Sequence, residues 1–169
     1  MDVIKIDAQL YKKITDFFKN KKSANIILKI MYKGLPYVIF AAYGLLLLYL
    51  ALTQSAEIFK ITLVPLGVFL FVTIIRKFFN RERPYEKFGI PSVFNKTKKG
   101  ESMPSRHTAS AFIISMAFLC LSPPLGIIFL CISFLIMLSR VFAGVHFISD
   151  VLAGMTLSVV SGYVFLFLI

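Results

Sequence analysis

Five apolar runs, each long enough or nearly long enough to cross a bilayer as a helix, dominate this sequence. Hydrophobic residues make up 58% of the 169-residue chain, and its mean hydropathy is +0.82. Average soluble domains are nearer half apolar, so a water-soluble globule is excluded. We therefore predict an all-α fold, an integral membrane helical bundle of about five transmembrane helices. The predicted spans are Leu35–Leu52, Ile58–Phe79, Ser105–Leu121, Leu125–Val141 and Val151–Ile169.

The first 34 residues differ from the rest, because lysines interrupt their apolar side chains at helical spacing. The apolar positions of this pattern are Val3, Ile6, Leu10, Ile14, Phe17 and Phe18. Such a pattern is typical of an amphipathic helix that lies in the membrane interface. A helix packed against the protein's own surface is the alternative. We divide the chain into an amphipathic membrane-surface segment, residues 1–34, and a transmembrane domain, residues 35–169.

The net charge of +11 indicates an anionic partner. Eight lysines lie in residues 1–33, and nine lysines and arginines lie between Arg76 and Arg106. Because these cations sit at membrane edges and not on a soluble recognition fold, nucleic acid is excluded as a partner. Anionic lipids of the bilayer and a phosphate-bearing substrate fit the charge better. No feature of the sequence indicates an oligomeric state.

The segment from Ser139 to Asp150 places ionisable side chains between two apolar runs. An ionisable residue at a membrane boundary is costly and is a candidate functional residue. His146 and Asp150 are four residues apart, so on a helix they share a face. The carboxylate can then accept the proton of one ring nitrogen, which makes the other nitrogen a better nucleophile.

Two further polar groups precede this segment. Arg76 and Arg83 are seven residues apart, and if the helix continues to Arg83 their guanidinium groups point at one target, such as phosphate oxygens. Two arginines that snorkel at a helix end are the alternative. Pro104 and Ser105 open the third predicted span, just before His107. A helix N-terminus there would present main-chain N–H groups to an anion.

Together these groups resemble the three signature motifs of the type 2 phosphatidic acid phosphatase superfamily, the membrane relatives of the vanadium haloperoxidases. The first family motif is a lysine, six residues and Arg-Pro, and here Arg76 stands in the lysine position before Arg83-Pro84. The second is Pro-Ser-Gly-His, and here Arg106 replaces the glycine. That arginine would either crowd the phosphate or project toward headgroups. The third motif is intact from Ser139 to Asp150.

The resemblance implies a metal-independent phosphatase that uses no cofactor and hydrolyses a lipid phosphate through a phosphohistidine intermediate. It implies that His146 is the nucleophile, that Asp150 orients it, and that His107 protonates the leaving group. It also implies that five residues bind the phosphoryl oxygens: Arg76, Arg83, Ser105, Arg106 and Arg140. The qualifying substrates within the family are isoprenyl diphosphate, phosphatidylglycerol phosphate, phosphatidic acid and lipid A phosphates.

Two other functions use the same residues. A non-catalytic lipid-phosphate binder or transporter could share the basic pocket, although it would have no need for both histidines and the aspartate. Two histidines and an aspartate also match a 2-His-1-carboxylate iron site. The arginines would then crowd that metal with like charge.

The spans place the chain in the cell membrane as a multi-pass protein. With five spans, the N-terminus lies on the same membrane face as the links after the second and fourth spans, which carry the motif residues. The lysine count predicts that this face is cytoplasmic. Resemblance to bacterial members of the superfamily implies the opposite, and we predict an active site on the extracytoplasmic face.

Overall fold

The computed structural model describes residues 2–168 of the chain, and side chains from residue 7 onward. Within this range the fold is helical and contains no β-strand, which confirms the predicted fold class. Two short π-helical stretches, Ile30–Gly34 and Tyr163–Leu168, extend neighbouring helices. The α-helices are α1 Asp2–Asn20, α2 Lys22–Lys29, α3 Leu35–Leu52, α4 Glu57–Phe79, α5 Pro84–Phe88, α6 Arg106–Leu121, α7 Pro123–Phe142 and α8 Ile148–Gly162. The predicted last residue of the fifth span, Ile169, lies outside the described residues.

The helices make the chain a multi-pass membrane protein. Four helical segments are long and apolar enough to cross a bilayer: Lys22–Leu52, Glu57–Phe88, Pro123–Phe142 and Ile148–Leu168. Helix α6 is the fifth apolar helix and has only 16 residues. The prediction of about five transmembrane helices is therefore confirmed, with α6 as a short member of the bundle.

Helix α6 lies at the centre of the bundle. Every residue from position 108 to position 118 is buried, and the helix contacts α3, α4, α7 and α8. Two glycines permit this close packing. A Cβ on Gly154 of α8 would lie 2.8 Å from the Ser105 carbonyl oxygen, and one on Gly126 of α7 would lie 2.2 Å from Leu119 Cα. The packing places the N-terminus of α6 among the ends of α4, α7 and α8.

Two helical arguments about the site residues do not hold, although the end of the second predicted span does. Helix α4 ends at Phe79 because Asn80 adopts a left-handed conformation with φ 37°. The assumption that a helix continues from Arg76 to Arg83 is therefore wrong. Helix α8 begins at Ile148 and not at residue 151, which puts Asp150 in its first turn and leaves His146 in the preceding loop. Their proximity is not the helical-face contact that their spacing suggested.

Helix α1 packs across the loops at the same end of the bundle as the N-terminus of α6. The Tyr11 hydroxyl donates a hydrogen bond to the Gly144 carbonyl oxygen at 3.1 Å, and the ring of Phe18 stacks on the end of α7. On another side of the helix Leu10 and Phe17 are 57% and 52% exposed. One side of α1 therefore packs on the protein's own surface, and another side leaves apolar residues exposed, as an interfacial helix would.

Candidate active site

A cavity of about 170 Å³ opens at the end of the bundle where α4 and α7 finish and α6 begins. Six of the predicted site residues line it: Arg76, Arg83, Arg106, His107, Arg140 and His146. Ser105 and Asp150 lie behind its wall. The structure thus brings side chains from all three sequence motifs to one place, although the chain between Arg76 and His146 crosses the bundle twice.

Three buried arginines, Arg76, Arg83 and Arg140, supply half of the six lysine and arginine charges that line the cavity. Arg76 and Arg140 each donate a hydrogen bond at 2.8 Å to a main-chain carbonyl oxygen, and Arg83 donates one at 3.0 Å. Among the described residues none of the three pairs with a carboxylate. Carbonyl dipoles orient these guanidinium groups without neutralising them, so the cavity is suited to an anion.

The Asp150 carboxylate is fully buried and held from several sides. Its Oδ2 accepts hydrogen bonds from the Phe147 N–H at 2.9 Å and from the Ser102 hydroxyl at 2.5 Å. Its Oδ1 accepts one from Arg81 Nη1 at 2.8 Å. His146 Nδ1 lies 3.5 Å from Oδ2. The carboxylate therefore both caps the N-terminus of α8 and faces the His146 imidazole.

The His146 imidazole lies between Asp150 and the cavity. Its side chain is almost fully buried, and this burial lowers its pKa to about 4 although the Asp150 carboxylate acts in the opposite direction. The ring is therefore neutral at physiological pH. Because Nδ1 faces Asp150 and the Ser102 hydroxyl, Nε2 is the ring nitrogen that points away from Asp150.

His107 and Arg106 occupy the first turn of α6 and have different surroundings. The His107 side chain is exposed toward the cavity. The Arg106 guanidinium lies 5.4 Å from the centre of the Phe69 ring on α4 and also lines the cavity. The substituted glycine position therefore adds a cation at the boundary between the cavity and the apolar bundle.

Ser105 precedes this turn and is fully buried. Its N–H donates a hydrogen bond to the Asp150 carbonyl oxygen at 2.8 Å, and its hydroxyl oxygen accepts one from Thr108 at 3.0 Å. The first of these bonds ties the start of α6 to α8. A contact between the Ser105 hydroxyl and phosphate stays a prediction.

Several cavity residues were missed by the sequence reasoning. They are Tyr32, Tyr85, Lys96, Lys98 and Val145. The lysine-rich link between α4 and α6 was a usable signal for Lys96 and Lys98, because its cations outnumber its carboxylates. Arg81 and Ser102, which hold Asp150, had no signal in the local pattern.

An apolar groove of about 310 Å³ runs between α3, α4 and α6. Its lining includes Tyr43, Pro65, Phe69 and Ile113. Because Arg106 contacts Phe69, that arginine borders both the groove and the charged cavity. A molecule with an anionic head and an apolar tail matches this pair of surfaces.

Within the part of the chain whose side chains are described, no three His, Cys, Asp or Glu residues come together as a possible metal site. The 2-His-1-carboxylate ligand set is not assembled there.

Comparisons with known proteins agree with this architecture. A family model described as the PAP2 superfamily matches residues 42–169. The fold is similar to the crystal structure of LpxE from Aquifex aeolicus, with 23% identity, a TM-score of 0.69, and coverage of 90% of this chain and 92% of that one. It is also similar to the first transmembrane PAP2 type phosphatidylglycerolphosphate phosphatase from Bacillus subtilis, with 20% identity, a TM-score of 0.68, and coverage of 96% and 84%. No curated protein matches the chain significantly.

Proposed function

The chain belongs to the PAP2 superfamily, and we propose that it is an integral membrane lipid phosphatase that acts through a phosphohistidine intermediate. The observation that carries the proposal is the cavity lined by four arginines, two lysines and two histidines, with no carboxylate among its lining residues. Such a surplus of fixed cations stabilises the charge that develops on phosphoryl oxygens in the transition state.

In the first step, the lone pair of His146 Nε2 attacks phosphorus while the bond from phosphorus to the leaving oxygen breaks. His107, in its protonated form, donates a proton to that oxygen. Asp150 holds the Nδ1 side of the nucleophile and stabilises the positive charge that the ring gains. The product of this step is a phosphohistidine on His146.

In the second step, water attacks the phosphohistidine and His107 removes its proton. The N–P bond breaks, inorganic phosphate leaves, and both histidines return to their starting states. Arg76, Arg83 and Arg140 contact the phosphoryl oxygens throughout, with Arg106 at the edge of the cavity. The arginines supply the electrostatic stabilisation, so we propose that no metal ion or cofactor is needed.

The apolar groove beside Arg106 supports a lipid substrate whose tail enters sideways between helices. Phosphatidylglycerol phosphate, phosphatidic acid and lipid A phosphates have suitable headgroups. We favour an isoprenyl diphosphate or a simple phospholipid monoester. Phosphate release by the purified protein across a panel of these lipids tests the assignment, and activity on water-soluble phosphates alone would contradict it.

The nucleophile is tested by substitution. His146→Ala and Asp150→Ala should lose most turnover, and the double variant should lose little more, because the two residues act in one step. Lys77→Ala is a matched control, since Lys77 is exposed and does not line the cavity. Unchanged phosphate release by His146→Ala would refute the proposal. Tight lipid-phosphate binding without release by the wild type would favour the non-catalytic alternative.

Metal independence has its own test. Activity should persist in excess chelator. Complete loss that a divalent ion restores would contradict a mechanism based on arginines alone.

We also propose that the active site faces the extracytoplasmic side. Some link cations are explained by phosphate binding and therefore need not report topology. Thr97 is exposed in the link beside the cavity, so a single cysteine placed there in a cysteine-free background is a suitable probe. A membrane-impermeant thiol reagent should label Thr97→Cys in intact cells or spheroplasts. Labelling that appears only after membrane rupture would place the site in the cytoplasm.

The exposed side chains of α1 support a contact with anionic lipid. Leu10 and Phe17 project from a helix that also carries exposed lysines. Replacing Lys12 and Lys13, two of these exposed lysines, with glutamine should weaken the dependence of activity on the anionic-lipid fraction of the bilayer. An unchanged dependence would show that α1 serves only to cover the protein.

A further inference from the structure

Tyr32 lines the charged cavity, yet it lies outside residues 42–169, the region matched by the family model. It belongs to the π-helical stretch Ile30–Gly34 that joins α2 to α3. Such stretches are rare and occur frequently at functional sites. The Tyr32 side chain is only 9% exposed.

The sequence removes one main-chain donor from the Tyr32 carbonyl oxygen. In α-helical register that oxygen would accept the N–H of residue 36. Residue 36 is proline and has no N–H. Arg140 Nη2 donates a hydrogen bond to this oxygen at 2.8 Å. A local irregularity of the first span is thereby linked to a cation 108 positions away in the chain.

The Tyr32 ring provides a second contact with the same arginine. The Arg140 guanidinium carbon lies 4.1 Å from the centre of the ring, and Arg140 is 2% exposed. A cation–π contact is strongest for such a desolvated pair. Arg140 Nε is buried and has no hydrogen-bond partner among the described residues. The guanidinium therefore retains one N–H that no described acceptor engages.

We propose that Tyr32 is a positioning residue that holds Arg140 at the cavity, so that the N-terminal segment completes the phosphate site. This inference rests on the proposed function, in which Arg140 contacts phosphoryl oxygens. The carbonyl sets the direction of one guanidinium nitrogen, and the ring sets the plane of the group. Orientation of a planar donor fork decides whether it can contact phosphate with two N–H groups.

The experiment separates the ring from the hydroxyl. Tyr32→Leu removes the aromatic face, and Tyr32→Phe keeps it. We expect kcat/KM for lipid phosphate to fall by roughly 10- to 30-fold in Tyr32→Leu, and to stay near the wild-type value in Tyr32→Phe. The inhibition constant of orthophosphate should rise by a similar factor in Tyr32→Leu. Tyr32→Met also lacks the ring and replaces Tyr32→Leu if that variant does not fold.

Two controls distinguish positioning from packing. Phe94 packs against Tyr32 with ring centres 4.9 Å apart but does not line the cavity, so Phe94→Leu should leave both constants near wild type. In an Arg140→Ala background, Tyr32→Leu should cause little further loss, because the two residues form one coupled pair. Equal losses with and without Arg140, or an equal effect of Phe94→Leu, would overturn the proposal.

The outcomes also separate this inference from the proposed function. If wild-type activity requires His146 while Tyr32→Leu matches wild type, only the role of Tyr32 is refuted. If the protein binds phosphate without hydrolysing it, the proposed function is refuted. Equilibrium binding of orthophosphate to the same variants then tests Tyr32 alone.

Discussion

Acidification should weaken the fold through His146, whose buried ring cannot easily take up a proton. Burial lowers its pKa from 6.5 to about 4, against the opposing effect of Asp150. In the unfolded chain the same imidazole binds a proton near pH 6.5. The unfolded state therefore holds more protons between pH 6.5 and pH 4, and folding is disfavoured there. This contribution to stability is complete above pH 6.5 and is lost as the pH falls to about 4.

The magnitude follows from the difference in pKa. Each pKa unit corresponds to about 1.4 kcal/mol, so the fold should lose about 3 kcal/mol from this group. For a chain of this length the loss lowers Tm by roughly 6 to 12 °C. The assay is thermal unfolding of the purified protein in detergent at pH 7.5 and pH 4. His146→Gln is the comparison, because glutamine is polar, similar in size and does not titrate.

The expected result is a larger fall in Tm for the wild type than for His146→Gln. Acid-sensitive groups that do not contact His146 contribute equally to both proteins and cancel. One of these is Glu101, whose pKa is lowered by the hydrogen bond from Lys98. Equal falls in Tm for the two proteins would refute the conclusion that burial keeps His146 neutral.

Three other predictions concern the ion pair between Arg81 and Asp150, the packing of α6 against α7, and the positive charge of the cavity. Arg81→Gln removes a charge-assisted hydrogen bond to Asp150 and should lower kcat by roughly 10-fold, a modest effect because the Arg81 side chain is 36% exposed. Arg81→Lys keeps the positive charge and should lower kcat by less. A valine side chain at position 126 would overlap Leu119, so Gly126→Val should not elute as a single monodisperse peak in size-exclusion chromatography. Gly44 has open space around it, so Gly44→Ala should elute as the wild type does. Orthophosphate should inhibit competitively, and more weakly at high salt, because ions screen the cavity cations.

Each of these predictions has a clear contrary result. Full turnover in Arg81→Gln would show that Asp150 is held well enough by Ser102 and the Phe147 N–H. A stable Gly126→Val protein would mean that α6 and α7 can separate without loss of the bundle. Inhibition by orthophosphate that does not change with salt would indicate that the lining cations do not act on the bound anion.

The apolar runs predicted the bundle well for a physical reason. Within lipid, every main-chain N–H and C=O group must form a hydrogen bond within the protein. A long apolar run satisfies this requirement by forming a helix. Helix α3 accordingly has the predicted bounds Leu35–Leu52. Helix α7 begins at Pro123 after a single extended residue, Ser122, because proline suits the first turn of a helix.

Local pattern failed where the main chain leaves the helix. The helical-face argument for His146 and Asp150 missed the loop between α7 and α8, in which Gly144 adopts φ 71°. The residues are still close, because Asp150 turns back to cap its own helix. Spacing alone thus indicated a correct contact for a wrong reason.

The supporting residues of the cavity could not be predicted from periodicity. Arg81 meets Asp150 across 69 positions, and Tyr32 meets Arg140 across 108. Such pairs depend on how helices pack, which a single sequence does not report. The motif residues were identifiable because the resemblance supplied them, and their catalytic roles stay predictions.

The short length of α6 bears on the depth of the proposed active site. Its 16 residues span about 24 Å, less than the roughly 30 Å hydrocarbon core that the 20-residue α7 can cross. Because the two helices meet at Ser122, the far end of α6 stops about 6 Å short of its neighbour. His107 therefore lies below the rim of the bundle and not at its surface. If His107 acts as proposed, a lipid headgroup would have to move below this rim to reach it. Water would have to enter the same charged cavity, so the supply of water would then help to determine turnover.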